Sequence, residues 1–181
     1  MVVFVALVSL TAWAMASPIG SPPDGDFHMA SIWCAQGDRL GMCKIVKEKN
    51  SPRLELRTPR TFSRYQNPYG HFCYVGNSGV SAGCSNIVDE KSVTELIASG
   101  RIVSGDPGAN LFYRANSYLA SQNIERSSIQ IRVANIAFFL GMSTLVLSVF
   151  KKYRVKSALA MLVGLGPWGS FLISSIHPSA W

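Results

Sequence analysis

Three stretches of this chain carry no charge, and the polar residues lie between them. Residues 1–17, 133–150 and 157–176 contain no Asp, Glu, Lys or Arg. Each approaches the roughly 20 apolar residues a helix needs to cross about 30 Å of hydrocarbon. The pattern predicts three transmembrane helices, at 1–17, 128–150 and 157–176. They are separated by a loop domain over 18–127 and a connection at 151–156, with a tail at 177–181. The fold class expected is mainly α, a membrane protein with a large extracytoplasmic loop domain of short helices and two disulfides. The first run has a second reading, because Ala14-Met15-Ala16 before Ser17 has the small residues of a signal-peptide cleavage site. No basic residue precedes that run, and Trp13 suits an interfacial position. Either reading leaves residues 18–132 on the outer side.

Within the loop domain the local signals are short. Three prolines and a glycine between Pro18 and Pro23 stop the first helix. Asp24 or Asp26 can cap a new helix through Cys34, and Phe27, Ala30, Ile32 and Trp33 offer it an apolar face for the bilayer interface. Alternation over Arg53-Leu-Glu-Leu-Arg57 predicts a strand. Residues 65–88, rich in Gly, Asn and Ser, read as a disulfide-tied loop or hairpin. Ser92 to Gly100 reads as a short helix with a glycine stop. Asp106-Pro107 starts another, running to Leu119. Gly164, Gly166-Pro167 and Gly169 predict close packing and a kink in the third run, which therefore expects protein neighbours.

Charge orients the chain. The protein has 181 residues, 48% hydrophobic and 15% charged, with a formal charge of +7. All ten acids lie between Asp24 and Glu125. Lys151, Lys152, Arg154 and Lys156 fill a short connection without an acid, which the positive-inside rule places in the cytoplasm. The chain is then a multi-pass cell-membrane protein with a cytoplasmic N-terminus and residues 18–132 extracytoplasmic. The other thirteen basic residues are offset by the ten acids, so the outer region carries only +3. That distribution excludes a nucleic-acid partner, which would need a basic stripe.

Cys34, Cys43, Cys73 and Cys84 all fall in the outer region. An even number of exported cysteines reads as two disulfides. Three pairings exist; the local one, Cys34–Cys43 with Cys73–Cys84, closes two short Gly-containing loops. Spacings of nine and eleven residues do not suit structural zinc.

The candidate chemistry lies in Asp24-Gly-Asp26-Phe-His28, where the chain leaves its first apolar run. Asp24 and Asp26 are hard oxygen ligands for Mg²⁺ or Mn²⁺, and His28 shifts preference toward Mn²⁺. Either aspartate can instead accept a proton from an attacking hydroxyl. An aspartate that merely caps a helix in a Pro- and Gly-rich turn needs no chemistry. His71 and His177 read as structural or solvated. Arg132 and Asn135 are expected to satisfy one another, a carbonyl or a headgroup.

The run Ala16-Ser-Pro-Ile-Gly-Ser-Pro-Pro-Asp24-Gly-Asp26-Phe-His28 after a span resembles the start of a bacterial family of predicted polytopic membrane proteins, known chiefly as a domain of unknown function. Arg132-Val-Ala-Asn135 and Ile176-His-Pro-Ser-Ala-Trp181 are further similarities. Gly25 stands where that family often has an acid, and His177 where asparagine is common. The family is grouped with the GT-C glycosyltransferases, which take sugars from polyprenyl-phosphate carriers and place an essential acid in the first outer loop. The resemblance implies that Asp24 and Asp26 are that acidic site, with His28 as ligand or orienting group. It implies an N-terminal fragment of an enzyme acting on cell-envelope glycans, inactive at this length without its remaining transmembrane helices or partner subunits. The alternative is a non-catalytic membrane protein that presents a disulfide-stapled outer domain to envelope partners; a secreted protein with a cleaved signal is a third reading.

Overall fold

The computed structural model describes residues 2–17, 19, 24–47, 53–59, 79, 96–104 and 106–180. Helix α1 (Val2–Ala16) is followed by α2 (Gly25–Cys34), then strands β1 (Lys44–Lys47), β2 (Arg53–Pro59) and β3 (Leu96–Ser104). A 3₁₀ turn at Pro107–Ala109 leads into α3 (Leu111–Ser117), the long α4 (Ile124–Val149), a 3₁₀ turn at Lys151–Tyr153 and α5 (Arg154–Ile173). A last 3₁₀ turn spans Pro178–Ala180.

The strands form one antiparallel sheet in the order β1-β2-β3. The β2 alternation works as its sequence suggests. Leu56 and Thr58 are buried, while Glu55 and Arg57 point outward and pair at 2.9 Å. That exposed pair adds less than about 1 kcal/mol. The helix expected over Ser92–Gly100 is not formed in its described part: residues 96–104 are strand, paired with β2. Ile97, Ile102 and Val103 are β-branched and favour extended backbone, and β2 supplies the hydrogen bonds that a nine-residue helix interrupted by glycine could not hold alone.

Helix α2 differs from the interfacial helix that the sequence suggests. Met29, Ala30, Ser31, Ile32, Trp33 and Cys34 are all essentially inaccessible, so no face is left for a bilayer. Two faces are covered by different partners. Ala30 and Cys34, one turn apart, pack with Cys43 and Leu56 under the sheet. Met29, Ile32 and Trp33 pack with Phe112, Tyr113, Ile124, Ile131 and Ile176. The Trp33 indole N–H donates to the Ser121 carbonyl at 3.0 Å, which satisfies the polar end of a buried ring. The expected Cys34–Cys43 disulfide is present and joins the end of α2 to the start of β1. Cys73, Cys84 and His71 lie outside the described residues.

Helix α4 joins this domain to the apolar helices. Its first three turns are buried against the domain, and beyond Ile136 it emerges. Ala14 of α1, Ile136 of α4 and Ile173 of α5 meet in one small cluster. At that level two α4 side chains, three residues apart and so on one face, each reach a neighbouring helix end. Arg132 donates from Nη1 to the carbonyls of Ala14 (2.7 Å) and Ser17 (2.6 Å) at the end of α1. Asn135 donates from Nδ2 to the Ser175 carbonyl at 2.9 Å, just past α5. Helix C-termini leave carbonyls without intrahelical donors and carry partial negative charge, which suits a guanidinium. Of the partners expected for this pair, carbonyls are observed for both.

Farther along, large apolar side chains face outward. They include Phe4, Val8 and Trp13 on α1, Met142, Leu145 and Val149 on α4, and Val155, Leu159 and Val163 on α5. So many exposed large apolar side chains on three helices are uncommon on a water-soluble surface. Among the described residues, α4 is the single unbroken helix that by length and composition can cross a bilayer. Lys151–Met161 and Gly166–Ile173 qualify together only as a bent pair, meeting at 97°, and Phe4–Ala16 is apolar but shorter. The expected kink is thus present. Gly166 adopts φ 45, ψ −172, a conformation costly for residues with a Cβ, and Pro167 disfavours helical backbone before it. The basic connection is not a plain loop, since Arg154 already begins α5 and donates to the Leu147 carbonyl.

Candidate functional site

Asp24 occupies the left-handed region (φ 55, ψ 21). Aspartate tolerates that conformation better than most residues. It stands at the N-cap position of α2 but makes no side-chain capping bond. A capping aspartate needs extended backbone to turn its oxygen onto the first-turn N–H groups, and αL geometry denies it that. The capping role expected for Asp24 is therefore not the one it performs. Its carboxylate is exposed at the edge of the domain, on the side where the chain arrives from α1.

One helical turn later the His28 backbone N–H donates to the Asp24 carbonyl at 2.9 Å. The His28 imidazole is nine-tenths buried, and its Nδ1 lies 2.9 Å from the Tyr113 hydroxyl of α3. Two aromatic rings flank it. Phe27 meets it edge-on at 5.4 Å, and His177, from the segment after α5, packs against it at 4.7 Å with the rings near perpendicular. The His177 Nδ1 in turn accepts the Ser179 backbone N–H at 3.1 Å. Ile176 beside it is buried in the domain core, and this anchors the segment.

Burial sets the electrostatics. It lowers the basicity of His177 below the ordinary histidine value, an effect the Asp24 carboxylate partly opposes. It raises the Tyr113 phenol, which keeps the hydroxyl protonated and able to donate. The arrangement therefore places an exposed carboxylate within electrostatic reach of His177 and one helical turn before His28, whose buried imidazole is paired with a phenol. Chemically, the Asp24 carboxylate can accept a proton from a bound hydroxyl.

Of the residues singled out from sequence, Asp24 and His28 are brought together. Asp26 stands in the first turn of α2, with its side chain outside the described set. Among the described residues no group of three His, Cys, Asp or Glu is placed to hold a metal ion. The expected Mg²⁺ or Mn²⁺ site of Asp24, Asp26 and His28 includes the Asp26 side chain, which lies outside the described residues. Tyr113 and His177 are the two site residues that sequence reasoning missed. His177 had a usable signal, the Ile176-His-Pro-Ser-Ala pattern that resembles the same family as the Asp24 segment. Tyr113 had none beyond a place on a helix.

Compared with known proteins, residues 7–181 match a family model described as a predicted membrane protein (DUF2142). No curated protein and no solved structure matches the chain.

Proposed function

We propose, from the premise that the chain belongs to the DUF2142 family of predicted membrane proteins, that it forms the first-outer-loop portion of a GT-C-like membrane glycosyltransferase. In this reading α1, α4 and α5 lie in the cell membrane, residues 18–132 are extracytoplasmic, and the Lys151–Lys156 connection is cytoplasmic. The donor is a sugar on a polyprenyl phosphate and the acceptor a cell-envelope glycan. One observation carries the reading: an exposed aspartate that makes no helix-capping bond lies one turn before a buried imidazole where the polar domain meets the apolar helices.

The reaction this supports is an inverting transfer. The acceptor hydroxyl gives its proton to the Asp24 carboxylate while its oxygen bonds to the anomeric carbon. The bond from that carbon to the phosphate oxygen breaks, and its electron pair leaves with the polyprenyl phosphate. Asp26, in the next turn, is the second acid of the proposal. Mg²⁺ or Mn²⁺, which Asp24, Asp26 and His28 would hold, would neutralise the leaving phosphate, and no step above depends on it.

The test uses the longest reading frame that contains this chain, purified in lipid with a polyprenyl-phosphate sugar and an envelope glycan. Asp24→Asn should abolish transfer, and Asp26→Asn should reduce it, with membrane insertion unchanged. Full activity in both variants would sink the assignment.

A non-catalytic role has one observation of its own. The Cys34–Cys43 disulfide staples the loop that carries the exposed Leu40 to the end of α2, as an outer domain presented to a partner would need. Under that reading Cys34→Ser or Leu40→Asp impairs function more than Asp24→Asn.

A further inference from the structure

The connection between α4 and α5 holds a charge cluster that the transfer reaction does not use. Lys151, Lys152, Arg154 and Lys156 are all exposed, and no Asp or Glu occurs in residues 126–181. Among the described residues the ion pair is Arg57 with Glu55, on the sheet. The cluster is helical, a 3₁₀ turn at Lys151–Tyr153 followed directly by α5. At a rise of about 1.5–2 Å per residue the four charges fall within roughly 10 Å of chain. That is close to the screening length of physiological salt, about 8 Å, so they repel one another and attract an anion together.

The four cations are not equivalent. The Arg154 Nε donates to the Leu147 carbonyl at 3.1 Å, one of those that the end of α4 leaves without an intrahelical donor. Arg154 thus ties α5 to α4, and the three lysines carry the rest of the charge. Lys152 Nζ stands 5.7 Å from the centre of the Tyr153 ring.

Large apolar side chains are interleaved with these cations. Phe150, Tyr153, Val155 and Leu159 are each more than half exposed. Val155 stands between Arg154 and Lys156, and Leu159 follows it one turn later on the same side of the helix. The Lys151–Met161 half is bent 97° from Gly166–Ile173, and it is the second half whose Ile173 meets α1 and α4. Cations and apolar side chains are therefore presented together at the periphery.

A soluble anion would satisfy the charges and leave the apolar side chains in water, whereas hydrocarbon would do the reverse. An amphiphile with a negative head and acyl chains satisfies both, and lysine stems can lie along apolar surface with the ammonium among headgroups. We infer that the Lys151–Lys156 connection, with Phe150 and Leu159 beside it, is a binding surface for anionic phospholipid. Lys151, Lys152 and Lys156 take the negatively charged headgroups, Phe150, Val155 and Leu159 take the acyl chains, and Tyr153 stands at the boundary between them. The surface lies at the end of α4 away from the polar domain. It rests on α4 as a membrane span and is independent of any chemistry at Asp24.

The test uses the full chain in neutral detergent micelles, with bound lipid counted by native mass spectrometry during titration. The probes are dioleoyl-phosphatidylglycerol, dioleoyl-phosphatidylcholine, glycerol phosphate and a short poly-glutamate. The anionic lipid should bind more tightly than the zwitterionic one. Each Lys or Arg near a charged membrane surface changes affinity about fivefold, so Lys151→Gln with Lys152→Gln should weaken the anionic lipid roughly 25-fold and leave the zwitterionic one unchanged. Lys151→Arg with Lys152→Arg should keep the binding, which separates loss of charge from a folding defect. Val155→Ser with Leu159→Ser should weaken both lipids, and Lys44→Gln with Lys47→Gln on β1 should alter neither. Equal affinity for the two lipids overturns the inference, as does undiminished binding by the Lys-to-Gln pair or loss of binding by the Lys-to-Arg pair. Competition by glycerol phosphate or poly-glutamate at the lipid's own concentration also overturns it, in favour of a soluble anion or an acidic protein. None of these readouts involves sugar transfer, so failure here and failure of the glycosyltransferase reading are distinguishable.

Discussion

Replacing Arg132 by methionine removes the guanidinium that joins α4 to the end of α1 and keeps much of the side chain's volume. Arg132 is buried, and its Nη1 reaches two carbonyls at 2.7 and 2.6 Å. Hydrogen bonds from charged donors contribute about 1.5–3 kcal/mol each. Those measured inside membrane proteins average nearer 0.6 kcal/mol, because the separated helices find other partners. Two bonds therefore bracket the loss between roughly 1 and 6 kcal/mol. Two considerations choose within that range. The variant no longer desolvates a charge, which reduces the loss. It also leaves the carbonyls of Ala14 and Ser17 without this donor in a buried place, which increases it. We expect about 3 kcal/mol. Arg132→Lys should recover only part, since the lysine chain ends one bond short of Nη1 and its compact ammonium is more strongly hydrated and so costlier to bury.

The assay is reversible unfolding of the full chain in mixed micelles at increasing SDS, followed by tryptophan fluorescence, with wild type, Arg132→Met and Arg132→Lys compared at one lipid ratio. Ile136→Val serves as the packing control, because it trims the Ala14–Ile136–Ile173 cluster without touching a polar group; about 1 kcal/mol is expected for it. The reasoning fails if Arg132→Met loses no more than Ile136→Val. It would then follow that apolar contact, and not the guanidinium, holds α1 to α4.

Gly108→Ala should destabilise the domain by about 2 kcal/mol, since a Cβ there would stand 2.5 Å from the Ala35 carbonyl, a backbone atom that cannot swing aside; thermal melts of the two proteins decide it. Cys34→Ser with Cys43→Ser should cost about 2–4 kcal/mol, and reductant should lower the wild-type melting temperature by more than that of the double variant, which keeps only Cys73 and Cys84. Asp24→Gly should change stability by less than about 1 kcal/mol because glycine relieves the left-handed backbone, while transfer is lost; a collapse in stability would mean the carboxylate is structural. His177 is less basic folded than unfolded, so below about pH 6.5 the unfolded chain binds more protons and stability falls. That decline begins as pH drops through the ordinary value, ends below the depressed folded value, and should be smaller in His177→Asn when melts are compared between pH 8 and 5.

What could be read from the sequence was what depends on neighbours along the chain. The strand at Arg53, the end of α2 at Cys34, the kink at Gly166-Pro167 and the local disulfide all follow from alternation, glycine and proline chemistry or short loop closure. The strand at Leu96–Ser104 could not, because its hydrogen bonds come from β2, some forty residues earlier in the chain. The burial of α2 failed for a related reason. A helix with Met29, Ile32 and Trp33 on one side and small Ala30 and Cys34 on the other looks one-faced, until a sheet arrives to cover the small side. The site divides along the same line. Asp24 and His28 are neighbours in sequence and were legible as a pair, whereas Tyr113 and His177 join them only because α3 and the post-α5 segment pack onto the same core as α2. The Ile176-His-Pro-Ser-Ala pattern did mark His177, yet resemblance could not say what it touched. The contact with His28 supplies that: the two ends of the chain that carry the resemblance meet at one place, which a helix-capping Asp24 and a solvated His177 would have no reason to do.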